Sequence, residues 1–181
     1  MTDKKTTWNQ AGVAGLVLGG VCIVYMLITG WTGKLGSDKP ALAMLISILN
    51  LVLWAAKFFG CIYLMKFFLK KFAAGDPEED NRSVFAFGVK VALLSALVYS
   101  AFWLADMTII NPDALQTALD TVMQSFGDKL DSNSLQALDE SMSSFPTVGF
   151  FTNLVYCFLF GTVLSAIQSR NIPPRNPFEQ K

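Results

Sequence analysis

Four stretches of the sequence are apolar over the length needed to cross a bilayer, and that repetition constrains the fold more than any other feature. About 30 Å of hydrocarbon takes roughly 20 helical residues. The stretches lie near residues 12–30, 42–69, 84–109 and 148–167. Inside lipid a backbone must satisfy its own hydrogen bonds, so each stretch is expected to be a helix. The predicted fold is all-α: a polytopic membrane protein forming one domain over residues 1–181. It has four transmembrane helices, with an amphipathic helical hairpin between the third and the fourth. Composition agrees. With 52% hydrophobic and 15% charged residues and a mean hydropathy of +0.43, the chain is too apolar for an ordinary soluble domain. The first stretch has a longer apolar core than a signal peptide and no A-x-A site after it, so it is read as retained. The second is over-long and is expected to tilt or to run on into the cytoplasm.

Basic residues orient such helices. Nine of them (Lys4, Lys5, Lys66, Lys70, Lys71, Arg82, Arg170, Arg175 and Lys181) fall on one side, and Lys34, Lys39 and Lys129 on the other. The positive-inside tendency places the nine, and both termini, in the cytoplasm. Trp8, Trp31 and Trp103 fall near the predicted interfaces, where indoles prefer to sit. Gly75, followed by Pro77, is expected to cap and stop the second helix. Asn81 or Ser83 can cap the third, and the "PPRNP" run at 173–177 reads as an extended tail.

The extracytoplasmic connection, 111–147, is the largest soluble piece. "NPDALQTALDTVMQSFG" opens with an Asn cap, a Pro and an Asp, and carries Leu115, Leu119, Val122, Met123 and Phe126 at helical spacing. "SLQALDESMSSFP" repeats the pattern with Leu135, Leu138, Met142 and Phe145, and Pro146 is expected to stop it. Six carboxylates (Asp113, Asp120, Asp128, Asp131, Asp139, Glu140) face one Lys129, which makes a poor ligand for anionic headgroups. The hairpin therefore reads as a cap over the outer helix ends, with a docking surface for a partner as the alternative.

Small residues recur every four positions. Ala11, Gly15 and Gly19 line the first span; Gly88, Ala92, Ala96 and Ser100 line the third; Gly161, Ser165 and Ser169 line the fourth. Such stripes let helix backbones approach closely in lipid. They are expected to pack the bundle internally, or alternatively to serve a homo-oligomer or a partner helix.

Two lysines lie inside spans. Side chains lean toward a helix N-terminus. Lys90 leans toward the cytoplasm from about 9 Å depth, within snorkelling reach. Lys57 leans the other way, with the cytoplasmic Lys66 about 13 Å further on. It is neutral, or it snorkels, or it meets an anion supplied from outside the chain. The groups at matching depth are Tyr25, Ser95, Tyr99 and Tyr156, with Asn50 about 10 Å toward the outside. Asp106, the one carboxylate within a span, is expected some 15 Å away beside Trp103 and is a poor counter-ion. The candidate midplane site is therefore Lys57, Asn50, Ser95, Tyr99 and Tyr156.

Other chemistry is sparse. The chain has no histidine, so the usual general base and commonest metal ligand are missing. Cys22, Cys61 and Cys157 sit one in each of three spans without metal-type spacing, and read as small buried residues. No P-loop or nucleophile elbow is found. Fourteen basic and fourteen acidic residues cancel, leaving no field for nucleic acid. No cofactor, metal or catalytic residue is expected.

The pieces "AGVAGLVLG", "VFAFGVKVALLSALVYSAF", "INPD" and "LFGTVLSAIQSRN", in this order and spacing, resemble the bacterial membrane proteins grouped as domain of unknown function 4199. The acidic segment after "INPD" is similar to that family's amphipathic insert. The resemblance implies a four-helix inner-membrane protein of Gram-negative bacteria, with no established catalytic residues to transfer. It also implies a link to lipid-linked sugar metabolism.

The expected function is that of a non-enzymatic membrane subunit or scaffold packing against a partner membrane protein. The alternative is a small transporter, channel or anionic-lipid-binding protein with Lys57 in a midplane groove, and a membrane enzyme ranks third. Membrane lipids are the expected surroundings in each case.

Overall fold

The computed structural model describes residues 4–34, 40–75, 81–126 and 132–172. Five α-helices follow in order: α1 (Lys4–Lys34), α2 (Pro40–Gly75), α3 (Asn81–Ala105), α4 (Asp113–Phe126) and α5 (Ser132–Arg170). A π-helical turn, Asp106–Ile110, closes α3. No strand occurs among the described residues. Four segments are long and apolar enough to cross a membrane: Thr6–Gly33, Leu42–Gly75, Asn81–Ile110 and Glu140–Arg170. The protein is an all-α polytopic membrane protein.

The helices alternate in direction. Gly15 lies against Leu94 and Gly19 against Val98, so α1 and α3 run parallel. Gly88 lies against Ser165 and Gly161 against Ala92, so α5 runs opposite to α3. Cys22 meets Cys61 and Thr32 meets Asn50, so α2 runs opposite to α1. One end of the bundle therefore holds the start of α1, the end of α2, the start of α3 and the end of α5. It carries Lys66, Lys70, Lys71, Arg82 and Arg170. The buried core, including Ala14, Leu18, Met65, Leu69, Val84 and Phe87, lies toward this end, with Phe72 and Phe87 stacked 4.1 Å apart.

α3 is the hub. A Cβ on Gly161 would stand 2.6 Å from that of Ala92, and one on Gly15 would stand 2.7 Å from that of Leu94. A Cβ on Gly88 would run into Ser165. These approaches exist because the residues are small, and with Ala96, Ser100 and Ser165 they are spent on contacts within the chain. Ser165 adds a hydrogen bond from its hydroxyl to the Phe85 carbonyl at 3.1 Å. α2 is held more loosely. Its polar ties include Gln168 Nε2 donating to the Ile62 carbonyl at 3.0 Å and Thr32 Oγ1 donating to Asn50 Oδ1 at 3.0 Å.

Two expectations are corrected. Pro146 does not stop a helix; it sits inside α5, which has 39 residues and is about 58 Å long. Proline removes one donor but is tolerated where neighbours hold the backbone. Trp103 does this from both sides, with its ring 6.1 Å from that of Phe145 and lying directly on Gly149. The second arm of the expected hairpin is thus the N-terminal part of the helix that forms the fourth span. In addition, α2 ends at Gly75 without a left-handed backbone. Asp76 and Pro77 lie outside the described residues. The hairpin bend at 127–131, with Asp128, Lys129 and Asp131, and the tail from 173 lie outside the described residues.

Candidate functional site

The two intramembrane lysines have different surroundings. Lys90 Nζ reaches over the ring of Trp8 at 5.3 Å, near the basic end of the bundle, in the direction its lean requires. Lys57 stays deep. Its Nζ lies 4.3 Å from the centre of the Tyr25 ring, so α1 offers it a π-face instead of a counter-ion. Such a contact contributes about 2 kcal/mol when desolvated. Placing a lysine at mid-bilayer costs roughly 3 kcal/mol on insertion scales and more in simulations. Tyr25 therefore offsets part of the cost only.

Lys57 lines a cavity of about 180 Å³ enclosed by α1, α2, α3 and α5. The cavity exists because α2 stands off from the α3–α5 seam. Ser95 and Tyr99 enter it from α3, one turn apart, and Tyr156 enters from α5. Four of the five residues proposed from depth alone thus share one cavity. Asn50 does not join them, because it is tied to Thr32 nearer the other end. Asp106 is also apart: it is buried in the π-turn, where Asn111 Nδ2 donates to its Oδ1 at 2.9 Å. No carboxylate lines the cavity.

Sequence reading missed two features here. All three cysteines line this cavity, and Cys22 Sγ and Cys61 Sγ are 3.9 Å apart. The depth count that gathered the tyrosines would also have gathered them. The second feature is an aromatic wall between α2 and α5. Trp54 stacks on Phe58 at 5.5 Å, Phe58 packs on Phe160 at 5.8 Å, and Phe160 stacks on Tyr156 at 6.5 Å. Trp54 and Tyr156 are exposed on the lipid side. The site therefore offers one cation, three hydroxyls and a flat apolar wall facing the hydrocarbon. Among the described residues no group of three histidine, cysteine or carboxylate side chains is placed to hold a metal.

A wider hollow of about 410 Å³ lies at the basic end, lined by Asn9, Gln10, Lys71 and Phe72 among others. The Lys57 cavity gathers three hydroxyls around its cation and is the stronger candidate.

The family model described as protein of unknown function (DUF4199) matches residues 14–170. That match takes in most of the first membrane helix, the other three and every residue of the cavity. No curated protein and no solved structure matches the chain.

Proposed function

The chain belongs to the DUF4199 family, and from that premise we propose an integral protein of the bacterial inner membrane that binds an anionic amphiphile at Lys57. It acts by non-covalent binding, not catalysis. Both termini face the cytoplasm, because the end of the bundle carrying Lys66, Lys70, Lys71, Arg82 and Arg170 is the basic one.

One observation carries this reading: Lys57, Ser95, Tyr99 and Tyr156 converge on one cavity that no carboxylate lines. An ammonium in a low-dielectric setting needs a partner charge, and among the described residues the Tyr25 ring is what stands over it. About 180 Å³ suits a headgroup, not a whole lipid, so the chains would lie outside along the aromatic wall. A phosphate on a lipid-linked sugar has the right chemistry, as does the phosphate of an ordinary acidic phospholipid.

Native mass spectrometry from mild detergent tests it. Wild type and Lys90→Met should retain an anionic lipid; Lys57→Met should lose it while keeping its thermal stability. Equal retention by all three ends the proposal.

The second reading, a subunit or scaffold for a partner membrane protein, draws on α2, whose apolar side no helix covers. It ranks lower because the small-residue stripes are already occupied within the chain. The same spectra separate the two, since a subunit or homo-oligomer appears as added protein mass.

A further inference from the structure

The ligand reading leaves the sulfurs unused. Cys22 and Cys61 are free thiols facing each other across the α1–α2 seam, with Sγ atoms 3.9 Å apart. A bonded pair needs about 2.0 Å, a closure within reach of side-chain rotation. Lys57 precedes Cys61 by four residues, one helical turn away on the same face.

Depth decides what can oxidise the pair. Cys61 lies five residues before Lys66, the first charge of the basic end of α2, and twenty-one from the start of the helix at Pro40, roughly 8 and 31 Å of helix. Both sulfurs are therefore in the hydrocarbon, away from water-soluble oxidants. The lipid side of their cavity is the wall of Trp54, Phe58, Phe160 and Tyr156, against which another flat ring can stack. Lys57 and Tyr99 stand behind it as hydrogen-bond donors for carbonyl oxygens.

We propose that Cys22 and Cys61 form a redox-active dithiol whose oxidant is a lipid-soluble quinone. Two S–H bonds break and one S–S bond forms. The two electrons and two protons released convert the quinone to its hydroquinone. Cys157 shares the cavity but stands outside the pair. The disulfide ties α2 to α1 one turn from Lys57. This inference goes beyond the ligand reading and does not rest on it, because a cavity that never holds an anion still holds both thiols.

The test uses the full chain in phosphatidylcholine vesicles, which contain no anionic lipid, reduced and kept free of oxygen. Decylubiquinone is then added. The thiols alkylated after denaturation should fall from three to one, with one hydroquinone formed per chain and the mass lower by two hydrogens. Peptide mapping should find Cys22 joined to Cys61. Cys157→Ser should react like wild type and end with no free thiol, and Cys22→Ser should form no intramolecular bond. If Cys22→Ser does not fold, the wild-type peptide map still decides. Three thiols persisting, a bond that includes Cys157, or equal oxidation by membrane-impermeant ferricyanide would overturn the proposal.

Discussion

α2 and α3 are almost equally apolar, yet 39% of the most apolar stretch of α3 is buried in the bundle and none of that of α2. Hydrophobicity sends both into the membrane but does not choose their neighbours, since lipid tails are as apolar as leucine. Side-chain size makes the choice. α3 presents Gly88 and Ala92 to α5, and α1 lays Gly15 and Gly19 on Leu94, Ser95 and Val98 of α3, so both neighbours come into backbone contact. α2 presents Leu, Phe and Trp on most sides, and its one mid-helix glycine, Gly60, has nothing within 4 Å of where a Cβ would stand. The rigid seam holds the fold together, and the looser helix carries Lys57 and borders the cavity.

Substitutions can break or sharpen this contrast. The largest effect is expected from Gly88→Leu or Gly161→Leu, which drive a bulky side chain between two touching helices. Each should cost about 3 kcal/mol or more, read as thermal unfolding in detergent. Gly60→Leu on α2 should change stability by less than about 0.5 kcal/mol. Equal losses at Gly60 and Gly161 would erase the distinction. Trp103→Ala follows at about 2 kcal/mol, below the usual loss for a fully buried Trp because the side chain is only partly buried. It should also free the helix around Pro146, seen as faster amide exchange at 142–145 and 147–150. The smallest effect is expected from Gln168→Leu, about 0.6 kcal/mol for one interhelical hydrogen bond. Exchange should quicken near Ile62 in α2 and stay unchanged in α3; a uniform change would show that α2 is no looser than the rest.

Much of this was legible in the residues. Four apolar lengths gave the helix count, and small residues at every fourth position marked the faces where α1, α3 and α5 meet. Counting depth from helix ends brought Ser95, Tyr99 and Tyr156 to the level of Lys57, because 1.5 Å per residue is a reliable ruler in a straight helix. Asn50 was included for sharing a helix face with Lys57 about 10 Å toward the outside, and a shared face says nothing about which neighbour a side chain selects; Thr32 was nearer. Pro146 misled because its local rule is right for an isolated helix, and the overriding contact comes from Trp103, more than forty residues earlier. The meeting of Cys22 and Cys61 was hidden because their 39-residue separation has no motif to announce it.

The seam between α1 and α3 bypasses the helix that joins them in sequence. α2 is therefore made before the α3–α5 seam it borders exists, with α1 as its one earlier neighbour. A helix rich in Leu, Phe and Trp suits that interval, because lipid can cover most of its sides.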